Sequence, residues 1–198
     1  KRSISTLLKA GLKKVSIDYI VGVPGQSENN IEDELTKLLN EFPGILHVSA
    51  YLLTLNAGNP YRKDLPSEDV QLSHLRMVRD VLKRFGLEQY EISNFAVPGY
   101  EAKHNINYWN GGAYIGIGPS AHSYLLAEQY RVTNSSNLDR YLTKVQTHGF
   151  SAEVVEHLDQ EQLRLEYLML RLRQRSGFDL NEYFKLFNVD LVKEKASW

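Results

Sequence analysis

The chain has 198 residues, 42% of them apolar and 24% charged, a globular composition that excludes a disordered or fibrous chain. Its 23 Lys and Arg against 24 Asp and Glu leave a formal net charge of −1, which gives no overall attraction for nucleic acid or anionic lipid. Cysteine is absent, which excludes disulfides, thiolate zinc sites, cysteine nucleophiles and an iron–sulfur cluster held by this chain alone.

Lys1 to Leu12 reads as the tail of an amphipathic helix, with Leu7, Leu8 and Leu12 apolar and Gly11 weakening the last turn. That helix has no start signal, and Val192 to Trp198 stops without a cap. The chain is therefore expected to be a segment of a longer protein. Val15 to Val21 (VSIDYIV) is a β-branched, nearly continuous apolar run of the kind buried on both faces of a parallel sheet. Gly22, Pro24 and Gly25 break it. Ile31, Leu35, Leu38, Leu39 and Phe42 recur at helical spacing, and Pro43-Gly44 ends that helix.

A second cycle follows. Leu46 to Leu53 reads as a strand and Asn56 to Pro66 as a polar loop. Ser67 with Glu68 and Asp69 opens a helix, Val78, Val81, Leu82 and Phe85 form its buried stripe, and Gly86 ends it. Leu87 to Phe95 supplies a third strand. Strands alternating with helices predict βα units around a parallel sheet, an α/β fold too small here to close. After Asn94 periodicity fails in a long stretch rich in glycine and aromatic residues, the kind of loop that carries function. Leu138 to Val145 predicts a short helix. Asp159 with Gln162 forms a capping box before a helix over Leu163 to Arg173, and another helix fits Asn181 to Phe187. Two parts are expected, an α/β part over 1–150 and a helical part over 151–198, meeting near Phe150. No apolar run nears the roughly 20 residues that cross a bilayer, and no apolar core follows the basic N-terminus, so a cytoplasmic location is expected.

Several side chains are candidates for chemistry. Asp18 is a carboxylate in a strand expected to be buried, which requires a partner: a ligand hydroxyl or amine on one reading, a neighbouring loop on the other. The Gly22–Ser27 loop (GVPGQS) lacks the glycine spacing and lysine of a phosphate loop and reads as a simple turn. His104-Asn105-Ile106-Asn107-Tyr108-Trp109 packs an imidazole, two amides and two large aromatics together. An imidazole can ligate iron and aromatics can stack on a flat ring, while the structural alternative is a tight turn with Tyr108 and Trp109 in the core. His122 follows the glycines of Gly116 to Gly118, which allow close approach of a ligand. Glu91, Ser93 and Asn94 lie on the rim expected to hold Asp18. His104 and His122 have no recognisable metal-ligand spacing. Arg164, Arg171, Arg173 and Arg175, interspersed with acids, read as a solvated face rather than a nucleic-acid surface.

Taken together, SIDYIVGVPGQ, SAYLLT, YEISNFAVPGYEAKHNINYW and GIGPSAHS resemble the second half of the radical S-adenosylmethionine proteins around oxygen-independent coproporphyrinogen III oxidase, over about Val15 to Ser123. The HNxxYW pattern of His104 to Trp109 is similar to that of the HemW branch of haem chaperones. The resemblance implies the C-terminal part of a partial (β/α) barrel followed by the start of a small helical domain. It implies S-adenosylmethionine contacts at Asp18, Thr54 and His122, and a haem motif at His104, Asn105, Tyr108 and Trp109 with His104 toward the haem iron. The cofactors it implies are S-adenosylmethionine, haem and a [4Fe–4S] cluster whose thiolates lie outside this chain, which is therefore expected to be inactive alone. Haem or another tetrapyrrole and acceptor haem proteins are the implied partners. The alternative within the same resemblance is a coproporphyrinogen III oxidase that decarboxylates propionates through a 5′-deoxyadenosyl radical. A partial barrel also leaves sheet edges and apolar helix faces open, so self-association is expected.

Overall fold

The structure is a computed structural model that describes residues 1–125 and 129–195, without the side chains of residues 153–155 and 195. The chain divides into two compact units, Lys1–Ala102 and Lys103–Trp198.

In the first unit, helix α1 (Arg2–Lys9) precedes strand β1 (Val15–Val21), α2 (Glu28–Glu41), β2 (Ile45–Leu52), a 3-10 turn (Pro60–Asp64), α3 (Glu68–Arg84), β3 (Glu88–Gln89) and β4 (Asn94–Ala96). The sheet order is β1-β2-β4-β3. The two βα cycles form because each helix carries an apolar stripe. Ile31, Leu35 and Leu39 of α2 and Val78, Val81 and Leu82 of α3 join Val21, Val48 and Ala50 of the strands in one core. The hydroxyl of Ser27 caps α2 by accepting from Asn30 N.

Two expectations need correction. β1 is not buried on both faces: Ile17 and Tyr19 pack on the core, whereas Ser16, Asp18 and Ile20 on the alternate side are exposed, as the period of a strand with one covered face dictates. The third strand is not one parallel strand but the hairpin β3–β4, with β4 antiparallel to both β2 and β3. The reversal is built by Glu91, a buried carboxylate that accepts from Ser93 N at 3.1 Å and from the Asn94 side-chain amide. Tyr90 N donates to Asn94 O at 3.1 Å and closes the turn.

The second unit contains α4 (Lys103–Trp109), β5 (His122–Leu125), β6 (Tyr130–Asn134), α5 (Leu138–His148), β7 (Ala152–His157), α6 (Gln160–Arg171), α7 (Leu180–Phe187) and α8 (Leu191–Lys195). β5, β6 and β7 form an antiparallel meander. β7 pairs with β6 across position 150, so one sheet includes strands from both sides of the expected boundary. Asp159 and Gln162 make the reciprocal capping box of α6. Tyr167 of α6, Phe178, and Tyr183 and Phe187 of α7 form a cluster of edge-to-face and tilted ring contacts, at centroid distances from 4.9 to 5.9 Å. No described helix is long and apolar enough to cross a membrane.

Candidate functional site

In the first unit, Asp18 sits in mid-strand, in register with Ser49 of β2, and is exposed. Its carboxylate therefore carries no burial cost, and neither oxygen has a hydrogen-bond partner among the described residues. Thr54, exposed just beyond β2, donates its hydroxyl to Leu52 O at 3.4 Å. The Gly22–Ser27 loop is closed on itself: Gln26 Oε1 accepts from Gly22 N at 2.8 Å and Val23 N at 3.4 Å, while its amide donates to Ile20 O at 3.3 Å. The backbone N–H groups of Gly22, Val23 and Gln26 are thus engaged within the loop. Sequence reasoning passed over His47, whose ring nitrogens meet Ser16 Oγ and Tyr90 OH, each at 2.8 Å. Burial pushes its imidazole below the ordinary range, against the opposing pull of Asp18 and Glu91.

In the second unit, the HNINYW segment is helix α4 rather than a tight turn. Helical spacing puts His104 and Tyr108 on one face, where their rings meet edge to face at 4.6 Å. Tyr108 meets Tyr114 in the same way at 4.6 Å. Tyr114 is tied to β5 by a two-way backbone bridge with Tyr124. His104 is exposed, and among the described residues neither of its ring nitrogens has a hydrogen-bond partner. Asn105 is half-buried on the same helix. Asn107 secures the turn that follows: its carbonyl accepts from Gly112 N at 2.8 Å and its side-chain amide donates to Ala113 O at 3.0 Å. A Cβ on Gly112 would overlap the Asn107 side-chain amide, which would have to swing away from Ala113 O to make room.

Trp109 faces other partners. The Arg173 guanidinium lies 4.4 Å over its ring, and Gln174 donates to its carbonyl at 3.2 Å. His122 begins β5, is exposed, and holds Thr133 Oγ1 at 2.8 Å. The glycines before it do structural work. A Cβ on Gly116 would strike the His122 backbone, and Asn134 donates to the carbonyls of Gly116 and Gly118 at 3.2 and 2.9 Å.

A cavity of about 540 Å3, which sequence reasoning did not locate, lies in this unit. Its walls carry the rings of Tyr108, Trp109, Tyr114, Tyr124, Tyr167 and Phe187, with Arg131, Arg171, Glu166 and Glu182 among them. Arg131 pairs with Glu156 at 3.1 Å and Glu166 at 2.5 Å. Burial alone would lower its guanidinium, but those two carboxylates carry it upward. Burial raises the phenols of Tyr124 and Tyr167, with Glu166 and Glu182 adding to the respective shifts. The arginines of this region are only partly a solvated face: Arg175 is exposed, but Arg171 lines the cavity, and Arg164 reaches Tyr183 OH at 3.0 Å and Glu194 at 2.5 Å. The described residues contain no cluster of three or more His, Asp or Glu able to hold a metal ion. The only advance signal for the cavity was the aromatic density of residues 100–124; Arg131 and Tyr167 lie too far along the chain to be joined to it by pattern.

Comparison with known proteins gives the following. No protein-family model matches the chain. It is 33% identical over 200 residues to "Heme chaperone HemW" of Lactococcus lactis, covering 96% of this chain and 51% of that protein. It is 30% identical over 202 residues to "Radical S-adenosyl methionine domain-containing protein 1, mitochondrial" of Danio rerio, covering 96% and 45%. The solved structure of the coproporphyrinogen III oxidase HemN from Escherichia coli, a radical SAM enzyme, aligns with a TM-score of 0.75 at 17% identity, covering 98% of this chain and 48% of that one. The chain thus spans about half the length of the proteins it matches. In sequence it is similar to the HemW-type haem chaperones, and it has the fold of the corresponding half of the radical S-adenosylmethionine protein HemN.

Proposed function

We propose that this chain is the haem-binding part of a HemW-like radical S-adenosylmethionine protein that carries haem to acceptor haem proteins. The observation that supports this reading is His104, an exposed imidazole on a folded helix with both ring nitrogens open. His104 would hold a haem through an imidazole nitrogen, a ligand that haem iron accepts. The chain's own residues do the positioning. Tyr108 props the His104 ring edge-on, Tyr114 backs Tyr108, and Asn107 fixes the exit from the helix. Exposure leaves the imidazole within reach of an approaching acceptor, as delivery requires.

The residues present suit one expected cofactor and not another. Asp18 and Thr54 of the first unit, and His122 taken by itself in the second, are exposed polar groups of a type that meets the hydroxyl and amino groups of S-adenosylmethionine. A [4Fe–4S] cluster does not fit this chain, which has no thiolate to offer; its ligands belong elsewhere in the protein. The test is a haem titration followed by absorbance, comparing the full-length protein with its His104→Ala variant. We expect saturable binding with a Soret band in the former, weakened at least tenfold in the variant. Equal affinity and an unchanged band in both would overturn the assignment.

A further inference from the structure

We propose that Tyr90 is a redox-active side chain, which gives an electron to a one-electron oxidant while its hydroxyl proton passes to His47. The site lies wholly in the first unit and stands apart from the haem reading. Its basis is the direction of a chain of hydrogen bonds. Ala102 N donates to the Tyr90 hydroxyl oxygen at 3.4 Å, which turns the hydroxyl hydrogen toward His47 Nε2, 2.8 Å away. A neutral imidazole carries one acceptor and one donor nitrogen. His47 Nδ1 therefore keeps its hydrogen and donates to Ser16 Oγ at 2.8 Å. The base that would take the proton is already in contact with the group that loses it.

The surroundings suit both products. Burial keeps the His47 ring neutral, so Nε2 holds no proton at neutral pH and can accept one. The carboxylates of Asp18 on β1 and Glu91 in the β3–β4 turn pull the other way and offset the charge of the imidazolium once it forms. Tyr90 is half-buried, so an electron can leave it while the ring stays packed. Among the described residues no other tyrosine hydroxyl meets an imidazole nitrogen. Tyr108 and Tyr130 touch histidines ring to ring, and Tyr19 donates to the Glu34 carboxylate. In the step the oxidant gains one electron, the Tyr90 O–H bond breaks and the His47 Nε2–H bond forms. A neutral phenoxyl radical then faces an imidazolium. Losing electron and proton together bypasses the phenol radical cation, which is why a hydrogen-bonded base makes a tyrosine easier to oxidise.

The test oxidises colourless full-length protein, free of haem and of cluster, with a flash-generated ruthenium(III) tris-bipyridine complex, and reads the trapped radical by electron paramagnetic resonance. Wild type should give a tyrosyl spectrum coupled to one exchangeable proton, the hydrogen on His47 Nε2, and that coupling should vanish in deuterium oxide. Tyr90→Phe should remove this signal. His47→Gln keeps a hydrogen-bond acceptor but is no base, and should slow radical formation at least tenfold. Thermal midpoints of both variants are checked in parallel. The exchangeable coupling is read on wild type and decides the question even where a variant fails to fold. No tyrosyl radical in wild type, a radical without the exchangeable coupling, the same signal in Tyr90→Phe, or an unchanged rate in folded His47→Gln would each overturn the proposal.

Discussion

At the scale of single residues, His47 has the most testable environment in the first unit. It is 6% exposed, bonded through both ring nitrogens, and its pKa is lowered chiefly by burial. The folded state therefore keeps the ring neutral, while the unfolded chain takes up a proton as pH falls through about 6.5. The stability tied to the neutral ring is fully present above that value and is lost as pH drops toward the depressed folded value. Thermal melts between pH 8 and 5 should show this decline, and His47→Leu should remove its share of the slope. The same variant should cost about 1–3 kcal/mol at neutral pH by breaking two part-buried hydrogen bonds. Nothing in the sequence marks His47, because Ser16 and Tyr90 become its neighbours only through strand pairing. Asp18 was visible as a charge in an apolar run, but its exposure was not, since the run does not reveal that one face of β1 stays uncovered.

At the scale of elements, legibility follows length and periodicity. β1, α2, β2, α3, α5, α6 and α7 announce themselves by apolar spacing and end signals, and the capping box of α6 is present where Asp159 and Gln162 placed it. Removing it with Asp159→Ala should cost about 1 kcal/mol, read as a lower unfolding midpoint. β5 and β6 escaped notice because HSYL and YRVTN are too short and too mixed to establish a period of two. α4 was hidden for another reason: KHNINYW has no apolar stripe and stands among glycines, so only its packing against Tyr114 and the Asn107 turn reveals a helix. Gly112→Ala tests that turn. The added methyl displaces the Asn107 amide from Ala113 O, and losing that hydrogen bond costs about 1 kcal/mol. Circular dichroism melts should register the loss, with a larger effect than alanine at the open Gly58 position.

At the scale of the whole molecule, the resemblance and the α/β architecture were readable because four motifs occur in order. The expected boundary near Phe150 followed a change from strand-like to helical sequence. The compact units instead divide at Ala102–Lys103, and the second contains a sheet of its own. The chain's composition sets a further expectation. Anaerobic treatment of this 198-residue chain with iron and sulfide should yield no cluster absorbance, since it has no cysteine.

The two sheets also differ in how far apart along the chain their partners lie. β1 finds β2 only across α2, and β2 finds β4 only across α3, whereas β5 pairs with the strand that immediately follows it. Bringing distant segments together costs more chain entropy, and sheets rich in local pairings form faster. The order of assembly is thus written into the topology. In pulse-labelled refolding, amides shared by β5 and β6, like those of the β3–β4 hairpin, should be shielded from exchange before those joining β2 to β4 or β6 to β7, which meet only across α3 and α5.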